Sequence, residues 1–230
     1  MIKEIHDQSI LGEYHDITKG EENRDITKGE EVSGVYLVRP VVQAGLVLMM
    51  VFWSGASVSM YGWLPTYSAM MADSDSNFGE FLLLLWFSTR AVACMISIPL
   101  SMMFSTTVIM RAHLSFVAVG ALILVFSYDS IGNKTALCLA CICFSYGLSI
   151  IFSLTLTVVN DYGLTMDESA TGLATMGTAV GGSLLPLLVG NLMNTLGPSI
   201  LLISGAVQGV ALVATYIFVD WYMARTLNRY

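Results

Sequence analysis

Charged residues are scarce in this chain, and their scarcity excludes a water-soluble globular protein. Asp, Glu, Lys and Arg make up 12% of the 230 residues, whereas hydrophobic residues make up 55% and the mean hydropathy is +0.71. The first 34 residues hold nine of the seventeen acidic and four of the ten basic residues, which leaves fourteen charges for residues 35–230. So few charges cannot cover a surface that faces water. The composition therefore indicates an integral membrane protein.

Clusters of basic residues are also lacking. The formal net charge is −7, and neither a stripe of Lys and Arg nor a polybasic stretch occurs. This balance excludes nucleic-acid binding and an electrostatic lipid anchor. The four cysteines (Cys94, Cys138, Cys141 and Cys143) all lie within apolar runs, and no histidine is close to them in the sequence. We therefore expect small buried residues, with neither a disulfide framework nor a metal site.

Sequence signatures of common enzymes are missing. The chain has no HExxH, no GxSxG and no Walker motif. Its histidines, His6, His15 and His113, lie in the polar N-terminal stretch or near the start of an apolar run. We therefore expect no base buried beside a nucleophile, no enzymatic activity and no cofactor, although a coupling ion such as sodium or a proton stays open.

The N-terminal stretch carries a tandem repeat, Asp-Ile-Thr-Lys-Gly-Glu-Glu, which begins at Asp16 and again at Asp25. Two copies are too few for a solenoid. The acidic composition cannot bury enough apolar area to fold alone, so we interpret residues 1–34 as a disordered cytosolic tail or central loop. The alternative is a binding motif for a cytosolic partner.

Six apolar runs of membrane-spanning length follow the tail. They cover residues 36–64, 79–103, 107–127, 135–159, 169–196 and 199–221. A helix needs about 20 residues to cross the hydrocarbon core, and the runs lack the alternation of a β-barrel. We therefore predict an all-α membrane protein, with a six-helix bundle over residues 35–225 and a cytosolic C-terminus at residues 226–230.

The first apolar run ends in a cluster of hydroxyl and aromatic side chains. It includes Ser57, Tyr61, Trp63, Pro65 and Tyr67. One interpretation is a belt of aromatic residues at the headgroup level. The other is a substrate site or gate: Pro65 removes a helical hydrogen bond, which allows the outer end to bend, and aromatic rings beside hydroxyls suit a sugar.

The second run carries an arginine close to the bilayer centre. Arg90 follows Trp86 by one helical turn and lies about ten residues from either end of the run. A charge at this depth is costly, and no carboxylate within residues 35–230 matches its depth. Its partner is therefore backbone carbonyls, water in a cavity, a substrate, or a group on another chain.

The fifth run is rich in glycine and contains Pro186. Glycines at four-residue spacing, such as Gly177 and Gly181, predict close packing between helices, and Pro186 adds a candidate hinge. Further polar candidates within the runs are Tyr146, Asn160 and Thr178, each of which also fits a hydrogen-bonded packing residue.

These features together resemble one family of transporters. Three motifs are similar to the C-terminal half of major facilitator transporters. They are Gly-Trp-Leu-Pro-Thr-Tyr from Gly62, the pair Trp86 and Arg90, and Gly-Gly-x-x-x-Pro-Leu-Leu-Val-Gly from Gly181. Within that superfamily the chain resembles the fucose permease and sodium-dependent glucose transporter-like branch. The resemblance covers residues 35–225.

The resemblance implies a fold and a function. The fold is one half of a major facilitator transporter, a bundle of two three-helix repeats, and the function is symport of a sugar-like solute by alternating access. Such transporters need two halves, so we expect a fragment that requires an N-terminal six-helix half or a second copy. The alternative is a non-transporting membrane scaffold or regulatory protein.

Basic residues near the ends of the runs predict the orientation. With both termini in the cytosol, Arg39, Arg111, Arg225 and Arg229 lie on the cytosolic side and Lys134 on the outer side. This distribution follows the positive-inside rule. We expect a multi-pass protein of the plasma membrane, in contact with lipid.

Tags at the two termini test this orientation. Because the basic residues favour the cytosolic side, we expect an epitope tag at either terminus to bind antibody only after the cells are permeabilised. Immunofluorescence on intact and permeabilised cells measures this, and labelling of either tag on intact cells would contradict the orientation.

Overall fold

The computed structural model describes residues 40–70, 77–129, 134–161 and 168–227. The predicted N-terminal tail with its repeat lies outside the described residues. The described chain forms seven α-helices: α1 (Pro40–Met70), α2 (Phe78–Met103), α3 (Thr106–Asp129), α4 (Lys134–Leu148), α5 (Ile151–Asp161), α6 (Glu168–Leu196) and α7 (Ile200–Leu227).

Six stretches of the described chain are helical, long and apolar enough to cross a membrane. The prediction of an all-helical protein with six spans is therefore confirmed. The fourth span, Lys134–Val159, differs from the prediction because it consists of two helices, α4 and α5, with Ser149 and Ile150 between them. The first span is longer than predicted, since α1 continues through Pro65 to Met70.

Local chemistry explains the tight turn between α6 and α7. Gly197 has φ +98°, a conformation that a side chain disfavours, and its N–H bonds to the Met193 carbonyl at 3.1 Å. Pro198 follows and cannot continue the helix, because it has no N–H to donate. The last turn of α6 is thus capped, and α7 starts three residues later.

Two contacts define the ends of the bundle. Arg111 on α3 pairs with Asp220 on α7, N to O at 3.0 Å, and we name this end the Arg111 end. At the other end, the Lys134 end, the Lys134 ammonium lies 5.3 Å from the Phe78 ring centroid. Successive spans therefore alternate in direction between these two ends.

Helix α1 contacts helices on several sides. Its Tyr61 ring packs on Phe87 of α2, and its Trp53 ring packs on Phe152 of α5. Glycines of α6 and α7 lie against it elsewhere, among them Gly205, which faces the Met60 sulfur. The first span is therefore enclosed by α2, α5, α6 and α7.

The crossing of α1 and α6 depends on glycine. A Cβ at Gly177 would lie 2.8 Å from the Val47 carbonyl oxygen, and a Cβ at Gly181 would overlap the Val51 carbonyl. The two helices run parallel, since later residues of α6 face later residues of α1. The prediction that these glycines permit close packing is confirmed.

A compact core lies between α2, α3, α4 and α7. Its largest side chains are Trp86 and Phe144, whose ring centroids are 6.4 Å apart and which are both fully buried. The Phe144 ring lies against Gly209 of α7, and its backbone lies against Gly120 of α3. Glycines on α3 and α7 thus leave space for the Phe144 side chain and backbone.

Helices α2 and α6 are the least covered spans. Only 22% of the apolar window of each is buried within the chain, whereas the other four windows are 44–56% buried. Both helices contact α1 on one side, so their outer faces are open to lipid or to another protein.

Substitution of two glycines on α6 tests the close crossing. A Cβ at Gly181 has no room, whereas a Cβ at Gly172 would meet nothing within 4 Å. We expect Gly181→Ala to lower the free energy of unfolding by about 1–3 kcal/mol. Gly172→Ala should be neutral or slightly stabilising, because alanine favours the helix. Thermal unfolding in lipid nanodiscs measures both, and equal melting temperatures would contradict the packing.

Candidate functional site

One face of α1 lies between α2 and α6. Ser54, Val58, Tyr61 and Pro65 follow each other at three- or four-residue spacing, and we name them the α1 groove face. Ser54 and Val58 lie against Gly182 of α6, and Tyr61 lies against α2, with ring centroids of Tyr61 and Phe87 5.6 Å apart. Ser54 is buried, and Tyr61 and Pro65 are half-buried.

Arg90 lies next to this face. It is the thirteenth of the 26 residues of α2, so the predicted position at mid-span is confirmed. Its side chain is half-buried and lies close enough to Tyr61 and Cys94 to interact with them electrostatically. Within the described ranges the guanidinium forms neither an ion pair nor a side-chain hydrogen bond. A cation without a fixed partner is thus held beside the α1 groove face.

Two of the predicted aromatic residues lie away from the groove face. The Trp63 indole donates to the Pro186 carbonyl at 2.9 Å, and its ring covers Gly190. Tyr67 is 5% exposed and belongs to the apolar core. Both rings are engaged in helix packing, and their role in a site stays a prediction.

Pro65 does not end the first helix. The helix continues to Met70, and the Ser68 hydroxyl donates to the Pro65 carbonyl at 2.9 Å. Gly79 of α2 lies directly against Pro65 and Ser68. The segment after Pro65 is therefore packed against the start of α2, and its predicted role as a gate stays a prediction.

Several buried polar atoms lack a hydrogen-bond partner among the described residues. They include the Ser57 and Ser59 hydroxyls on α1, the Trp86 indole nitrogen on α2 and the Gln208 amide oxygen on α7. Ser57 and Trp86 are predicted site residues, whereas Ser59 and Gln208 were missed. Gln208 is the only amide side chain between Ile200 and Leu227, and this isolation within an apolar run is the signal that points to it.

Thr178 and Tyr146, the remaining predicted site residues, lie in different places. Thr178 precedes Gly182 by one turn on α6 and is half-buried, and its hydroxyl donates to the Ala174 carbonyl at 3.2 Å. Tyr146 lies near the end of α4. The structure thus places Tyr61 on the groove face, Arg90 and Thr178 on the two helices that border it, and Tyr146 at the interruption of the fourth span.

Neighbouring helices supply hydrogen bonds to the interruption between α4 and α5. The Leu148 carbonyl accepts the Trp53 indole N–H of α1 at 2.7 Å. The Tyr146 carbonyl accepts the Ser149 hydroxyl at 2.8 Å and lies 3.1 Å from Nδ1 of His113 on α3. Lipid cannot supply such bonds, so non-helical backbone at this depth requires protein donors.

His113 differs from the sequence expectation. Although it lies only seven residues from the start of α3, it is 2% exposed, and its ring stacks on Tyr146 with centroids 5.1 Å apart. Its Nε2 lies 3.3 Å from the Ser97 hydroxyl of α2. The expectation that no base is buried beside a nucleophile was wrong in that His113 is buried beside the Ser97 hydroxyl, because the rotation of α3 turns His113 towards α2 and α4.

A small cavity lies between α3 and α7 at the Arg111 end. Its volume is about 220 Å³, and most of its lining is aliphatic, with Arg111 and Tyr216 at its border. The pairing of Arg111 with Asp220 leaves no net charge there. The cavity is therefore distinct in place and chemistry from the groove face beside Arg90.

Comparison of the chain with known protein families, with characterised proteins and with solved structures found no match.

Two arginine substitutions test whether Arg90 lacks a partner within the bundle. Arg90→Leu removes a mid-span charge, so we expect insertion of α2 to become more favourable by about 2.5–3.5 kcal/mol. Arg111→Leu breaks a largely exposed ion pair and should destabilise the bundle by about 0.2–1 kcal/mol. A glycosylation-based insertion assay and thermal unfolding measure these effects. Strong destabilisation by Arg90→Leu would mean that Arg90 has a structural partner.

Proposed function

We propose that the chain is one six-helix bundle of a secondary transporter, which moves a sugar-like small solute by alternating access. In this proposal the bundle is the C-terminal half of a major facilitator transporter. It works with a second six-helix bundle, either an N-terminal half or a second copy. The solute binds near mid-membrane between the two bundles.

The environment of Arg90 carries the proposal. A half-buried guanidinium at mid-span, without an ion pair in the described residues, is costly in lipid and favours a water-filled cavity or a bound polar solute. Tyr61 lies beside it with both a ring and a hydroxyl. A guanidinium and a phenol can donate to the oxygens of a sugar, and an aromatic ring can pack on its C–H face.

The uneven burial of the helices supports a second bundle. The two least covered spans, α2 and α6, contact α1 on both sides of its groove face. A partner that covers these two helices would enclose the groove face and Arg90 between the bundles. Small or hydroxyl-bearing residues on α6, including Thr171, Thr175 and Ser183, are exposed on that span and favour close helix contact.

The interruption of the fourth span also supports a transporter. Spans with broken helices are typical of transporters, where they allow part of a helix to move or line a site. We place the protein in the plasma membrane with the Arg111 end in the cytosol, because the positive-inside rule favours that side for the arginines.

Uptake into liposomes tests the proposed function. We expect the chain alone to show no saturable uptake of labelled hexoses, and uptake to appear when an N-terminal six-helix half is co-reconstituted. In that assembly Arg90→Leu should reduce uptake by about 10- to 100-fold, since it removes charge-assisted hydrogen bonds to the solute.

Arg225→Leu is the matched control, because Arg225 is exposed and packs on the Trp221 ring, with 5.1 Å between the guanidinium carbon and the ring centroid. It should retain uptake. An assembly that folds but transports none of the hexoses would favour a scaffold over a transporter, and equal effects of the two substitutions would remove Arg90 from the site.

A further inference from the structure

His113 joins three helices at the interruption of the fourth span. From α3 it reaches the Tyr146 carbonyl on α4 with Nδ1 at 3.1 Å and the Ser97 hydroxyl on α2 with Nε2 at 3.3 Å. A carbonyl oxygen can only accept a hydrogen bond, so Nδ1 carries a proton and donates it. The neutral and the protonated ring therefore differ by the proton on Nε2.

The hydroxyl of Ser97 has one proton and two neighbouring acceptors. It lies 2.7 Å from the Ala93 carbonyl, which is the shorter contact, and 3.3 Å from Nε2 of His113. When the imidazole is neutral, Nε2 competes with Ala93 for that single proton. When Nε2 binds a proton from water, it donates to the Ser97 oxygen, and all donors and acceptors of the group are satisfied.

The charged groups near His113 do not fix whether its Nε2 carries a proton. Helix α3 and several helices packed against it carry titratable or charged groups. Besides His113 they are Arg111, Tyr128 and Asp129 on α3; Glu80, Arg90 and Cys94 on α2; Lys134, Cys138, Cys141, Cys143 and Tyr146 on α4; and Tyr216, Asp220, Tyr222 and Arg225 on α7. Residues 151–159 of α5 contain none. Of the three carboxylates, Asp220 pairs with Arg111, whereas Glu80 begins α2 and Asp129 ends α3 at the Lys134 end, far along the helices from His113. An added proton on His113 is therefore stabilised by the oxygens of Tyr146 and Ser97.

We propose that His113 is a proton-binding site whose protonation sets the geometry of the interruption between α4 and α5. The protonated ring connects Ser97 of α2 with the Tyr146 carbonyl, while the neutral ring is held firmly only on the Tyr146 side. Release of the proton thus loosens the junction where the fourth span is broken. The role of this proton as the coupling ion rests on the proposed transport function, whereas the site itself does not.

Magnetic resonance of the full chain in nanodiscs tests the site without transport. His6→Gln and His15→Gln leave His113 as the only imidazole of the chain. We expect its ring nitrogens to bind a proton as the pH is lowered across the range in which the protein stays folded. The fluorine signal of 5-fluorotryptophan at Trp53, which bonds to Leu148 at the same interruption, should shift with the same midpoint. The exposed Trp221 should show no such shift.

Two variants separate the parts of the proposal. Ser97→Ala removes the acceptor of the protonated ring, so the midpoint should fall by about one pH unit. His113→Asn keeps an N–H donor for the Tyr146 carbonyl but cannot bind the proton, so the Trp53 signal should become independent of pH. In the assembled transporter the same variant should remove the pH dependence of uptake.

The results distinguish this site from the proposed function. Titration of His113 with a matching Trp53 shift supports the site even if no hexose is transported. A ring that stays neutral throughout, a Trp53 signal that ignores the titration, or an unchanged midpoint in Ser97→Ala would each overturn it, even if uptake is observed.

Discussion

Hydrocarbon supplies no hydrogen bonds, and this constraint organises the centre of the bundle. The fourth span breaks at Ser149 and Ile150, and donors from α1 and α3 supply the bonds that the surrounding lipid cannot give. Trp53 and His113 are therefore held in place by backbone oxygens as well as by packing. The same constraint makes Arg90 informative, since a guanidinium without a fixed partner in the chain needs water, a solute or another protein.

Close approach of helices is the second organising feature. The glycines of α6 let its backbone meet the carbonyls of Val47 and Val51, so α1 and α6 cross without large side chains between them. On the other side of α1, the Tyr61 ring packs on the Phe87 ring, so aromatic side chains separate α1 from α2. The first span is therefore packed directly against the backbone of α6 on one border of its groove face, and through larger side chains against α2 on the other.

Much of the fold could be predicted from the sequence, because membrane spans depend on local hydropathy. The six spans and the mid-span depth of Arg90 follow from length and composition alone. The contacts of the site could not be predicted, because they join distant residues: Trp53 and Leu148 are 95 residues apart. Likewise the burial of His113 depends on the rotation of α3 against α2 and α4, and an apolar run with little amphipathic pattern does not specify that rotation.

The parallel pairing of α1 with α6 has a consequence for biosynthesis. Trp63 bonds to Pro186, which is 123 residues further along the chain. At about 5–20 residues per second, the ribosome needs roughly 6–25 s to make that distance. During this interval the side of the first span that packs on α6, which includes Ser54 against Gly182, lacks that neighbour. Quality control that recognises polar residues in lipid would act on this chain before its fifth span emerges.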